Sequence, residues 1–219
     1  MILKRTNRVY QKKWLKENKN LKILDLGCSF NNYWPEANHF SDLDDFSQEF
    51  GNLNLKFTQI KKNQKLPFKD KEFDYVILSH VLEHVPNLLE FVSEIERISK
   101  AGYIELPTKL NDNLVFGCDE EDVGHKWWFE FDDVNQKLLY LKKIDVLEKF
   151  LTVGQIYKLQ NFFEDSFLLQ LYWKDEINLL AKEPFEKEEK ILFFTLIRKF
   201  FSKKIRIILS SIKVLFLRK

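Results

Sequence analysis

Glycine is scarce in this chain, at 6 of 219 residues, and there are 5 prolines and 2 cysteines. Cys28 and Cys118 stand far apart and in no metal-ligand spacing, so a disulfide framework is not expected and a reducing compartment fits. No apolar run approaches the roughly 20 residues that span a bilayer. The opening segment MILKRTNRVYQKKW has no long apolar stretch of the kind that leads a secretory signal. Internal repeats are lacking too. Residues 190–219 hold nine Lys or Arg and no Asp or Glu.

What is present is a chain 45% hydrophobic with 21 phenylalanines, enough for one sizeable α/β domain with a small appendage. The formal charge of +2 is unevenly spread. Residues 1–189 carry 26 basic against 33 acidic side chains, a net of −7, and the tail carries the rest. Such asymmetry points to a membrane or nucleic-acid contact at the tail. The expected division is a domain over 1–189 and a basic amphipathic helix over 190–219.

The pattern along the chain predicts a helix over 8–18 with a Tyr10/Trp14/Leu15 stripe. Strands are expected at 21–26, 38–42, 53–60, 73–79 and 101–106. A helix with Leu88, Leu89, Val92, Ile95 and Ile98 inward and Glu90, Glu94, Glu96 and Lys100 outward separates the last two. Further on, 127–131 and 138–141 read as a hairpin, 147–163 as a helix, and 167–173 with 177–181 as a late strand pair. Strands alternating with helices or loops imply a parallel sheet covered on both faces, with ligands at the carboxyl ends of its strands.

Three motifs fall at those ends. In Ile23-Leu24-Asp25-Leu26-Gly27-Cys28-Ser29 a strand runs into a Gly turn, where the missing Cβ lets a ligand approach the backbone. Asp42, with Asp44 close behind, ends the second strand; a carboxylate there suits the two hydroxyls of a ribose, and a solvated acidic loop is the plainer alternative. The third is the run Leu66-Pro67-Phe68-Lys69-Asp70-Lys71-Glu72-Phe73-Asp74-Tyr75-Val76-Ile77-Leu78-Ser79-His80-Val81-Leu82-Glu83-His84-Val85.

That run resembles the LPF-x-D-x-x-FD-x-V-x-x-SHVLEHV signature of class I S-adenosylmethionine-dependent methyltransferases of the type 11 kind. With Leu21–Leu26 and Ala101–Pro107, the resemblance covers about the first half of the chain. It implies a Rossmann-like, mostly parallel seven-stranded sheet with helices on both faces, and methyl transfer from S-adenosylmethionine. Carried over by position, Asp25, Gly27, Cys28 and Ser29 would surround the cofactor's methionine part. Asp42, with Asp44 as runner-up, would hold the ribose, and Ser79 and His80 would line the pocket. The chain departs from the broad family in its single loop glycine, in the nine or so residues before the second strand, and in having Lys61 or Lys62 where an acid often meets the adenine.

His80, His84 and His125 are the candidates for taking a proton from the acceptor, since an imidazole titrates near neutral pH. His80 and His125 are the two assigned here, and His84 is equally well read as structural. His125-Lys126-Trp127-Trp128-Phe129 matches an element that follows the Gly-Tyr-Ile-Glu-x-Pro strand in the same subset. Its adjacent tryptophans face opposite ways, toward core or pocket. No ligand cluster for a metal is expected.

The acceptor is expected to be a small molecule, a sugar or glycan, or a lipid-linked intermediate. The alternative is an inactive methyltransferase fold serving as a binding module. Nucleic acid is not expected, because the body is acidic and the strand end reads Ser79-His80-Val81-Leu82. In the tail, basic residues interrupt apolar clusters throughout, which fits a helix lying on an anionic membrane surface and hence a cytoplasmic protein peripheral to the inner membrane face. Packing of that helix on the domain or on a second subunit is the plainer reading.

Overall fold

The computed structural model describes residues 2–109, 111, 124–143 and 167–182, with single helical positions between 193 and 208. A seven-stranded sheet is built from β1 (Ile2–Arg5), β2 (Ile23–Leu26), β3 (His39–Asp42), β4 (Lys56–Gln59), β5 (Tyr75–Ser79), β6 (Ala101–Pro107) and β9 (Leu168–Lys174). Its order is β1-β9-β6-β5-β2-β3-β4. The five strands from β6 to β4 run parallel, whereas β9 is antiparallel to β6 and β1 to β9. A three-stranded sheet holds β7 (Trp127–Asp132), β8 (Lys137–Lys142) and β10 (Leu179–Ala181). The fold is thus the expected Rossmann-like α/β class.

Strand alternation sorts the two faces. Leu24, Leu26, Val76, Leu78, Ile104 and Leu106 enter one core together with Leu88, Val92, Ile95 and Ile98 of α3 (Leu88–Ile98). Ile23, Tyr75, Ile77 and Tyr103 enter the other, with Leu15 of α1 (Arg8–Glu17) and Phe50 of α2 (Ser47–Asn52). Each fully buried aliphatic side chain contributes about 1.5–3 kcal/mol. The odd-numbered set has a consequence for the site: Asp25, Ser79 and Glu105 lie on the α1 side by the same period of two.

Two helical stripes differ from their expected form. On α3 Leu89 is 59% exposed, so the inward stripe is Leu88, Val92, Ile95 and Ile98. Glu94 and Glu96 are half-buried and accept hydrogen bonds from the amides of Leu66 (3.0 Å) and Ile177 (2.6 Å), tying loops to the helix rather than facing water. On α1 Tyr10 is exposed and Gln11 buried, because the Gln11 side chain accepts from Tyr75 Oη at 2.7 Å and donates to Thr6 Oγ1 at 2.8 Å. Asn7 caps α1 through its side chain, which accepts from the Tyr10 amide.

The hairpin expected over 127–141 forms as β7 and β8, turning through 133–136. The late strand pair does not: β9 enters the large sheet and β10 pairs parallel with β8. Strand β1 was not legible, since four residues with the burial of only Leu3 show no alternation signal. The helix expected over 147–163 lies outside the described residues. In the tail the described positions are helical, and Phe193, Phe194, Phe200, Phe201, Ile205 and Ile208 among them are exposed, as are Arg198 and Lys204.

Candidate active site

The carboxyl ends of β2, β3, β5 and β6 meet along one edge of the large sheet. After β2, Gly27 adopts φ +79, and a Cβ there would stand 2.5 Å from Val81 Cγ2. Only glycine fits this turn, on both conformational and steric grounds. The Gly27 and Cys28 amides both donate to Ser41 O (2.7 and 3.3 Å), which pins the turn to β3.

The four residues expected around the cofactor's methionine part divide into two pairs. Gly27 and Ser29 are exposed. Asp25 and Cys28 are buried beneath them. The Asp25 carboxylate accepts the Trp34 amide at 2.7 Å and so closes the loop that carries a 3-10 turn at Phe30–Asn32. Burial pushes its pKa up to about 7. Cys28 Sγ faces Ser41 O at 3.6 Å, and burial pushes the thiol well above its ordinary range. Both act on the loop from below.

At the end of β3, Asp42 is half-buried and Asp44 exposed. Asp42 Oδ1 accepts the Asp44 amide at 3.0 Å. Burial, followed by the charge of Asp44, raises the Asp42 carboxyl above its usual range despite the hydrogen bond from the Asp44 amide. Asp42 is therefore a fixed acceptor at the strand end, and Asp44 serves it through its amide.

At β5 and β6 the organising group is one that sequence reasoning missed, Glu105. It is fully buried. Ser79 Oγ donates to its Oε1 (2.7 Å), Tyr103 Oη donates to its Oε2 (2.6 Å), and Arg8 Nη1 lies 3.2 Å from Oε1. Arg8 in turn sits over the Trp34 ring at 4.9 Å. Ser79 is thus committed to Glu105. His80 follows with φ +58, a left-handed conformation uncommon outside glycine, held by its amide donating to Glu105 O at 2.9 Å. Its Nδ1 is 3.3 Å from Glu83 Oε1 and its Nε2 3.7 Å from Glu105 Oε1. Burial alone would lower the His80 pKa, but the close Glu83 carboxylate, followed by the charge of Glu105, outweighs it and raises it.

A short turn at Leu82–His84 follows. Here His84 and His125 come together, with ring centroids 4.6 Å apart and edge to face. His125 Nε2 is 4.0 Å from Glu83 Oε1. The Lys126 amide donates to Glu83 O (2.6 Å) and Trp127 Nε1 to Val85 O (2.7 Å), so the strand after His125 is stitched to this turn. Trp128 faces the core and Trp127 is half-buried against it. The expectation of no metal-ligand cluster fails at this point: one ligand atom from each of Glu83, His84 and His125 lies within 4.8 Å of the others. Glu83 and Glu105 sit inside the motifs read from the sequence, but only the pairing of β5 with β6 and the return of the chain at 125 show what they do.

Residues 24–104 match the model of a family described as a methyltransferase domain. Two uncharacterised proteins of Methanocaldococcus jannaschii are similar. MJ0638 is 35% identical over 107 residues, which are 47% of this chain and 47% of the relative. MJ1123 is 42% identical over 43 residues, 20% of this chain and 21% of the relative. The chain therefore spans half or less of the length of these curated relatives. Among solved structures, a SAM dependent methyltransferase from Aquifex aeolicus aligns at 13% identity and TM-score 0.40 over 74% of this chain and 87% of that one. An S-adenosylmethionine dependent methyltransferase from Mesorhizobium loti aligns at 12% identity and TM-score 0.40, over 70% and 91% respectively.

Proposed function

We propose that this chain, whose residues 24–104 match the model of a methyltransferase domain, is a class I S-adenosylmethionine-dependent methyltransferase that transfers the cofactor's methyl group to a small molecule, a sugar or glycan, or a lipid-linked acceptor. The observation that carries the reading is the meeting of three built features on one sheet edge. These are the Gly27 turn that no Cβ could fill, the half-buried Asp42 carboxylate at the end of β3, and the His80 backbone fixed beyond Ser79.

S-adenosylmethionine supplies a methyl group on a sulfonium, displaced in line by an oxygen or nitrogen acceptor. The chain's own residues do the rest. Gly27 and Ser29 admit the amino-acid part to the backbone, and Asp42 accepts from the ribose hydroxyls. On this reading His80 takes up the acceptor's proton, and His125 does so only where it holds no metal ion. Glu105, with Arg8, Ser79 and Tyr103, holds the floor under His80 and is a positioning group.

The tail supports a place of action at a membrane surface. Exposed phenylalanine and isoleucine side chains alternate with Arg198 and Lys204 on helical backbone, and 190–219 contain no acid. Among the described residues no helix is long and apolar enough to cross a membrane. An anionic lipid surface complements this composition, each basic residue near it contributing about 1 kcal/mol.

Calorimetry of the full chain with S-adenosylmethionine and S-adenosylhomocysteine tests the central reading. One site per chain, weakened by Asp42→Ala, is the expected result. No binding at millimolar cofactor would assign the fold instead to a non-catalytic binding module.

A further inference from the structure

Glu83 is fully buried, yet neither carboxylate oxygen receives a hydrogen bond. His80 Nδ1 and His125 Nε2 approach Oε1 at 3.3 and 4.0 Å without hydrogen-bond geometry. A buried carboxylate in this condition is costly unless a cation meets it. Two imidazoles flank it, His84 from the same turn and His125 from 41 residues further along. The Lys126 amide and Trp127 Nε1 clamp the second to the first.

We infer that Glu83, His84 and His125 form a binding site for a divalent transition-metal ion, Zn2+ in the first instance. Two imidazoles and one carboxylate are the donor set of an open zinc site, with bonds of about 2.0–2.2 Å. Donors on one tetrahedral ion stand about 3.3 Å apart at such bond lengths. The present set lies within 4.8 Å, and an ion would draw it in to that spacing. Borderline imidazole donors favour zinc and its neighbours over Mg2+, which demands oxygen.

Three protein ligands leave one coordination position for water or a ligand oxygen. The site lies beside His80 at the end of β5, on the edge assigned above to the cofactor. Resting on the methyl-transfer reading, that position suits a hydroxyl or other oxygen of the acceptor, which the ion would bind and orient.

The test is metal binding itself, so its failure is distinct from a failure of methyl transfer. Metal-stripped full-length protein is dialysed against Zn2+ and assayed for bound metal, and Co2+ is titrated with absorbance recorded. One Zn2+ per chain and the strong visible bands of four-coordinate Co2+ are expected. His84→Ala, His125→Ala and Glu83→Gln should each weaken binding by at least about 100-fold, since losing an outer partner alone costs 10–100-fold. Zn2+ should raise the melting temperature of the wild type and not of the variants. Absence of stoichiometric Zn2+ on the wild type would overturn the site, as would a folded His84→Ala/His125→Ala double variant that keeps wild-type affinity. If the variants fail to fold, the Co2+ spectrum of the wild type decides: octahedral weak bands or none reject the site.

Discussion

Arg8 and Glu105, 97 residues apart in the chain, meet at 3.2 Å across the face of the sheet. Glu105 is wholly buried and Arg8 mostly so. Removing one partner of such a pair leaves an uncompensated charge, which costs about 3–5 kcal/mol when nothing else helps. Ser79 and Tyr103 still donate to Glu105. Arg8→Met should therefore cost less, about 2–3 kcal/mol. Urea denaturation measures it, and Glu105→Gln in the same chain should recover part of the loss. Full additivity of the two changes would show that the contact is not coupled.

Gly27→Ala should fail twice over. Alanine resists φ +79, and its Cβ would enter Val81 Cγ2. A loss of about 1–3 kcal/mol in stability is expected, together with weaker cofactor binding by calorimetry. Adding Val81→Ala removes the clash but not the backbone strain, so it should restore only part of each. Complete restoration would mean that φ at position 27 is unimportant.

Asp42 and Asp44 should separate cleanly. Asp42→Ala removes the acceptor at the strand end and should weaken S-adenosylmethionine binding by at least about tenfold, the worth of one hydrogen bond to a charged group. Asp44→Ala keeps the amide that Asp42 Oδ1 accepts, so a change under about threefold is expected. The reverse order of effects would transfer the ribose role to Asp44.

Two buried groups set opposing pH dependences. His39, hydrogen-bonded through Nε2 to Thr58 Oγ1 (2.8 Å) and packed against Phe68 and Phe73, is held neutral. Burial, with the charges of Lys56 and Lys22, lowers its pKa from 6.5 to about 4. The unfolded chain binds the proton first, so this group's stability is complete above 6.5 and is lost as pH falls toward 4, by up to about 3 kcal/mol. Asp25 has the opposite sign. Its carboxyl is raised from 3.8 to about 7, so its stability is present below 3.8 and is lost as pH rises through 7. The windows overlap, and the wild type should be nearly flat between pH 4 and 6.5. Asp25→Asn should unmask the acid lability of His39. Denaturation midpoints across pH check this; a flat profile in the variant would refute it.

Liposome flotation tests the tail. Full-length protein should float with anionic vesicles and stay down with neutral ones, and binding should fall with salt. A chain ending at Glu189 should not float. Equal flotation of the two would remove the membrane surface as a partner.

Leu21–Leu26, the strand at 73–79, the 88–98 helix and the Gly27 turn were all legible, because their signals act over a few residues. An apolar run, a 3.6-residue period and a missing Cβ are local properties. The class of fold and the cofactor edge followed from their order along the chain. The single-glycine turn is a specific requirement, because a Cβ at Gly27 would meet Val81 Cγ2.

Strand β1, the separation of β9 from β10, the Arg8–Glu105 pair and the Glu83/His84/His125 cluster were decided only in three dimensions. Each joins segments separated by tens of residues or more, and such pairings depend on chain closure and sheet register rather than on neighbours in sequence. The sequence by itself determined that histidines and acids would end strand β5. The tertiary structure decided that Glu105 is satisfied and Glu83 is not, because hydroxyl donors reach the first across the sheet and imidazoles approach the second without a hydrogen bond.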